Sequence, residues 1–204
     1  HEIDIKIAGI NHCHWAMDVR DAQNGDELYP LVRKRMASMD PNWEPLSQEC
    51  LRRFGYFPGP ADTHVGEYLG WGWKFLKPEQ TAWIFKGVDT DREREEEVKI
   101  LAAGAGPMND AEQKIFKNLL IEGGLRWQTI DILQSLFDNG NRYILSLNLP
   151  NDGYISNLKR GGVVEIPAIV GANRVYGLSM GEMPHAIATL LEHRVQVGGQ
   201  VAHA

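Results

Sequence analysis

The sequence predicts an α+β fold: a largely antiparallel sheet packed with helices. Three observations predict it. The chain opens on a period-2 pattern in which Ile3, Ile5 and Ile7 alternate with Asp4 and Lys6. Strands and helices then follow one another without a regular βαβ rhythm, so a parallel sheet is not expected. An Asp-Gly pair, Asp152-Gly153, lies between apolar runs and signals a hairpin.

The elements follow in order. "EIDIKIAG" reads as a half-buried strand, the chain turns over Gly9 to Asn11, and "HCHWAMDVR" reads as a second strand. "GDELYPLVRKRMA" is a helix whose regular part starts near Pro30, because Pro suits the first helical turn. "EPLSQECLRRFG" is a short amphipathic helix closed by Gly55. "YFPGPAD" holds two prolines and a glycine and reads as loop. "THVGEYLGWGW" follows, with Asp62 or Thr63 able to cap a helix start. The charge run from Asp89 to Lys99 predicts a polar, solvated helix. "LRWQTIDILQSLFDNGN" is strongly periodic, and Leu125, Ile130, Leu133, Leu136 and Phe137 form its expected buried stripe. "RYILSLNLPNDGYISNL" predicts a strand, a turn at Asn151-Asp152-Gly153 and a return strand. Two more strands are expected in "GGVVEIPAIVGANRVYGLSMG" and a helix from Met183 onward, in which His185 reads as packing.

Composition narrows the function. The 204 residues are treated as one domain, 1–204, with 43% hydrophobic and 24% charged residues. A net charge of -6 argues against a nucleic-acid partner, which wants a basic face. No apolar run reaches the ~18–20 residues of a membrane helix, and no signal peptide is legible. Cys13 and Cys50 are too few for a disulfide scaffold, so a reduced, cytoplasmic protein is expected. The chain starts without Met on a strand already under way and ends inside an apolar-periodic segment. That pattern predicts a piece of a longer protein.

"GINHCHW", from Gly9 to Trp15, concentrates metal-ligand residue types at the exit of the first strand. Successive strand side chains face opposite ways, so Cys13 is not expected to join a site with His12. His14 shares the His12 face in a regular strand, and the pair could bind a metal on geometry alone. Taken singly, each is as well read as an ordinary surface or core histidine. Asn148, Asn151 and Asn157 place three amides near one turn. Amides both donate and accept, although turn chemistry alone accounts for Asn151.

"IAGINHCHW", "RRFGYFPGPADTHVGEYLGW" and "LNLPNDGYISNLKRGGVVEIPAIVGANRVYGLSMGEMP" occur in this order. Together they resemble the C-terminal half of family 4 glycoside hydrolases, of the α-galactosidase, α-glucosidase and α-galacturonidase type. Such enzymes depart from the two-carboxylate scheme of most glycosidases. The resemblance implies a domain like the C-terminal catalytic domain of lactate and malate dehydrogenases. It also implies an NAD cofactor, Mn²⁺ or another divalent metal, an α-linked sugar or sugar acid as substrate, and a homo-oligomer (dimer or tetramer). The implied reaction is oxidation at sugar C3, loss of the C2 proton with elimination of the glycosidic oxygen, addition of water, and return of the hydride.

Residue by residue, the resemblance makes His12 the metal ligand, with a cysteine partner in a preceding nucleotide-binding half. It makes Asp62 the candidate base, with Tyr56 the alternative. Asp62 reads equally well as a helix cap. Asn11 and His64 become candidate sugar contacts, as do Asn148 and Asn157; Asn11 also suits a turn. No G-x-G-x-x-G follows a strand, and "AAGAGP" at 102–107 follows a helix, so the NAD-binding Rossmann domain is expected outside this chain. Two other readings stay open. One is a non-catalytic oligomerisation or sugar-binding module. The other is a partial 2-hydroxy-acid dehydrogenase, for which no His-Arg-Asp arrangement is found.

Overall fold

The computed structural model describes residues 2–85, 109, 127–172 and 174–201. The chain divides into two compact units. The first comprises 1–84, 143–169 and 175–204; the second comprises 85–142 and 170–174.

In the first unit, β1 (Ile3–Ile10) and β2 (Cys13–Asp21) form an antiparallel hairpin. Its register pairs Gly9 with His14 and Ile10 with Cys13. The turn is therefore Asn11-His12, one step later than the expected turn over Gly9 to Asn11, and the peptide between these two residues is cis. The short strand β3 (Phe57–Pro58) adds to the outer side of β2. On the other side, β1 pairs antiparallel with the chain of β5 (Val163–Gly171) at Gly9 and Glu165. Beyond β5 lies β4 (Arg142–Pro150), and β6 (Arg174–Gly177) also pairs with β5. The spatial order is β3-β2-β1-β5-β4, an antiparallel arrangement at each of β3–β2, β2–β1 and β1–β5.

Helices cover this sheet. They are α1 (Tyr29–Met36), α2 (Pro45–Phe54), α3 (Asp62–Tyr68) and α4 (Pro78–Phe85), with a 3-10 turn at Gly72–Phe75. Pro30 stands in the first turn of α1, and Gly55 closes α2 in a left-handed conformation with its N–H on the Leu51 carbonyl. One core joins Ala8, Ile10, Cys13 and Trp15 of the hairpin to Val164 and Ile166 of β5. The last helix (His185–Val201) adds Ile187, Leu191 and Val195, spaced four apart on one face. Each such side chain fully buried contributes about 1.5–3 kcal/mol, so this stripe suffices to seat the helix.

Beside the shifted turn and the short strand β3 inside a stretch expected as loop, two further expectations fail. The return strand at 154–158 is absent: after β4 the chain folds into a turn-rich loop, and the ladder partner is β5. The buried amide of Asn151 explains the loop. Its Nδ2 donates to the carbonyls of Ile155 and Leu158, and its Oδ1 accepts from the Ile155 N–H. Ile155 and Leu158 thus reach the core without a strand. In the second unit, α5 (Trp127–Asp138) forms where the period demands. Its apolar stripe is nevertheless exposed, Leu133 to 61% and Phe137 to 94%. Its buried anchor is polar: Ser135 Oγ donates to the Val170 carbonyl and accepts from the Arg142 N–H at 3.2 Å. Leu125, the charge run at 89–99 and "AAGAGP" lie outside the described residues. No helix among the described residues is long and apolar enough to cross a membrane.

Candidate active site

The β1–β2 turn organises the site. The hydroxyl of Tyr68, at the end of α3, accepts a hydrogen bond from the His12 N–H at 3.0 Å. It donates one to the Asn11 carbonyl, also at 3.0 Å. One phenol therefore clamps both sides of the turn, and the His12 side chain projects exposed from it. The His12 ring stacks on that of His64, with centroids 4.7 Å apart. His64 in turn holds Glu67 through Nδ1 at 3.2 Å. Burial raises the pKa of Tyr68, against the opposing effect of the His12 N–H, which keeps the clamp protonated.

One strand position on, His14 points away from Cys13, which is buried in the core. His14 Nδ1 lies 2.8 Å from Glu165 Oε2, and Ser146 Oγ donates to the other carboxylate oxygen. Burial pushes the Glu165 carboxyl up, but hydrogen bonds from His14 and Ser146, with the charges of His14 and His12, bring it below the usual carboxylate range. Glu165 is thus the hydrogen-bonded partner of His14 and Ser146. Gly59 makes room for this arrangement, since a Cβ there would stand 2.1 Å from His14 Nε2. His14 is therefore the partner of a carboxylate.

Beside the turn lies a cavity of about 310 Å³, onto which Asn11, Tyr68, Asn148 and Arg194 open. Asn11 and Asn148, proposed from sequence as sugar contacts, are thereby brought to one wall. Asn157 is elsewhere engaged: its amide makes a reciprocal pair with the backbone of Met183, at 2.8 and 3.0 Å. Asn157 is not among the residues that line this cavity.

Asp62 needs a correction. It does not cap its own helix, whose N-cap is Ala61. It caps α2, which has no capping side chain of its own. Oδ2 accepts from the Leu46 N–H at 2.7 Å, and Oδ1 accepts from the Ser47 N–H at 2.7 Å and the Ser47 hydroxyl at 2.6 Å. The residue is 1% exposed. A base must reach a substrate hydrogen, and a sealed carboxylate committed to three donors does not. Tyr56 packs edge-on against Tyr29, with ring centroids 5.4 Å apart, and the Tyr29 hydroxyl bonds the Ala16 carbonyl and the Phe57 N–H. It therefore lies further along β2 than the His12 turn.

The sequence reading missed Glu165, Ser146, Tyr68 and Arg194. Glu165 had a signal: a lone carboxylate inside the apolar run "VVEIPAIV" must find partners if the strand is central. The other three carry none.

A single exposed imidazole suits a borderline divalent cation as one ligand of an open site. Among the described residues, no group of three or more His, Cys, Asp or Glu side chains is arranged to hold a metal. His12 thus fits a metal whose remaining donors come from outside this cluster.

An antiparallel α+β sheet domain with amides on a small cavity beside an exposed histidine defines the class of domain to be compared. Solved glycosidase structures share its fold. A 6-phospho-α-glucosidase from gut microorganisms, in complex with NAD and Mn²⁺, matches with a TM-score of 0.61 at 20% identity, over 99% of this chain and 46% of that one. A 6-phospho-β-glucosidase from Thermotoga maritima, with manganese, NAD⁺ and glucose-6-phosphate, matches at 0.62 and 19%, over 97% and 45%. Residues 7–204 match the family 4 glycosyl hydrolase C-terminal domain, and the chain belongs to that family. Among curated relatives, an α-galactosidase of Rhizobium meliloti is 30% identical over all of this chain and 42% of its own length. An α-galacturonidase of Thermoanaerobacterium saccharolyticum is 26% identical over 95% of this chain and 44% of its own. The chain spans less than half the length of these relatives.

Proposed function

We propose that this chain is the sugar- and metal-binding half of an α-glycosidase that works by NAD-assisted oxidation, elimination and addition. The observation that carries the reading is the exposed His12 imidazole, held at its turn by Tyr68 beside a cavity walled by Asn11 and Asn148. When bound, NAD⁺ supplies a hydride acceptor and a divalent cation such as Mn²⁺ supplies Lewis-acid polarisation of the sugar oxygens.

The chain's own residues do the rest. His12 offers a ring nitrogen to the cation, and stacking on His64 fixes the ring plane. Tyr68 positions the turn. Asn11 and Asn148 orient sugar hydroxyls by donating and accepting, and His64 stays a candidate sugar contact beside His12. With Asp62 capping α2 and Tyr56 packed on Tyr29, this reading assigns the base to neither of them. The substrate is an α-linked sugar or sugar acid and the assembly a homo-oligomer, dimer or tetramer. A purely non-catalytic module is disfavoured by the glycosidases among the relatives.

The test measures Mn²⁺ binding to the 204-residue chain by electron paramagnetic resonance, before and after His12→Ala. The same pair is then assayed for p-nitrophenol release from α-galactoside and α-galacturonide substrates, with a nucleotide-binding half and NAD⁺ supplied. Loss of both metal binding and turnover supports the reading. Turnover that survives His12→Ala overturns the metal assignment.

A further inference from the structure

A second cavity lies away from the His12 turn and shares no lining residue with the cavity beside that turn. Its volume is about 690 Å³, inside the range of small-molecule sites, about 300–1,000 Å³. Helices α1 and α2 and the 3-10 turn wall it, and Met36, Pro45, Leu51 and Phe75 give it an apolar lining. The loop between the two helices is pinned. Gln48 Nε2 donates to the Asp40 carbonyl at 2.9 Å and to the Trp43 carbonyl, and Pro41 and Pro45 fix the backbone φ at their own positions. The gap between the helices is therefore built in.

Charge is the second observation. The chain carries a net charge of -6, yet α1 presents three consecutive cations, Arg33, Lys34 and Arg35. Among the described residues none of the three pairs with a carboxylate. Arg33 opens on the cavity. Its Nη2 donates to the Gly55 carbonyl at 3.1 Å, and its guanidinium carbon lies 5.2 Å from the centre of the Tyr29 ring. These contacts fix the guanidinium at the rim and leave the rest of its donor fork to a ligand. Glu49, the one carboxylate of the lining, does not oppose an anion, because Arg52 and Arg53 hold it at 2.7 and 2.6 Å. The rim is thus net positive over an apolar floor.

We propose that this cavity is a binding site for a small amphipathic anion. An apolar or aromatic body covers Leu51 and Phe75, and a single carboxylate, sulfonate or phosphate group bonds Arg33. Both halves of the ligand are needed. The apolar body gains by leaving water, and the anion gains charge-assisted hydrogen bonds at a guanidinium that no carboxylate of the described residues engages. The inference does not depend on the sugar-site reading above, since the two cavities have no residue in common.

The test is fluorescence titration of the 204-residue chain with two dyes, the anionic anilinonaphthalene sulfonate and the neutral N-phenylnaphthylamine. Native chain is compared with Arg33→Gln, Arg33→Lys and Ala37→Phe, the last of which fills the cavity from an exposed position at the end of α1. One anionic dye is expected per native chain, bound about tenfold tighter than by Arg33→Gln. The neutral dye should bind native chain and Arg33→Gln alike. Arg33→Lys should keep part of the gain, and Ala37→Phe should weaken both dyes. Added salt should weaken the anionic dye alone, which tests the charge on native chain should Arg33→Gln fail to fold. Absence of saturable binding of the anionic dye, or binding that either Arg33→Gln or Ala37→Phe leaves intact, overturns the inference. So does inorganic sulfate that displaces the dye at the dye's own affinity, because the guanidinium would then be a general anion site. A native dimer that Ala37→Phe converts to monomer in analytical ultracentrifugation overturns it as well, because a second copy would then fill the cavity.

Discussion

Replacing Asp62 with Asn separates the two roles its position suggests. The change keeps the side-chain shape and removes one acceptor oxygen. In the native chain Oδ1 serves both Ser47 donors and Oδ2 serves the Leu46 N–H. An amide has one oxygen, so either orientation turns an NH₂ group toward at least one buried donor. Leaving a buried donor unsatisfied costs about 1–3 kcal/mol. Loss of the negative charge at the α2 N-terminus adds about 0.3–1 kcal/mol, rising to ~2 where it is partly buried. The sum is a destabilisation of roughly 2–4 kcal/mol, a drop in Tm of about 4–16 °C for a chain of this length. Urea unfolding followed by far-UV circular dichroism measures it, with an unchanged m-value as the sign that only stability has moved. If Asp62 were instead the proton acceptor, Asp62→Asn would unfold within about 0.5 kcal/mol of the native chain while turnover collapsed. That outcome would refute the capping argument and restore the carboxylate to the site.

Two further predictions follow from charge and burial. The Glu49 carboxyl is pulled from 4.5 down to about 2 by hydrogen bonds from Arg52 and Arg53. Its folded pKa lies below its unfolded one, so its contribution is complete above pH 4.5 and fades as pH falls toward 2. Because both arginines are well exposed, that contribution is under ~1 kcal/mol. Urea titrations of native chain and Glu49→Gln should differ near neutral pH and converge in acid; a gap that widens in acid contradicts the pairing. Burial pushes the thiols of Cys13 and Cys50 up to about 12, so neither should react with a disulfide reagent at about pH 8 until the chain unfolds. Rapid labelling of either in the native state would show that it is not sealed in the core.

What could be read from the chain depended on how far apart the interacting residues stand. The alternation of Ile3, Ile5 and Ile7 marks β1, and the spacing of Ile187, Leu191 and Val195 marks the last helix, because these patterns are local. The turn chemistry of Asn151 was also local and legible. The strand expected after it failed because its amide closes a loop that buries Ile155 and Leu158 without a ladder. The stripe on α5 shows the converse. Periodicity states which face of a helix is apolar, but whether anything covers that face is decided elsewhere.

The site repeats this division. His12 is singled out in the sequence only by the family resemblance, since the pattern alone places it in the second strand and the structure puts it in the turn. Its consequences are set by side chains remote in sequence: Tyr68 lies 56 residues away, and the carboxylate of Glu165 lies 151 residues from His14. Asp62 makes the point most sharply. Its residue type correctly announces a cap, yet the helix it caps begins 17 residues before it, at Pro45, where Glu44 has no capping bond to offer. A carboxylate next to a candidate site can therefore serve the scaffold, while the polar groups that line the cavity arrive from distant parts of the chain. Only the pairing of the strands decides which of them meet.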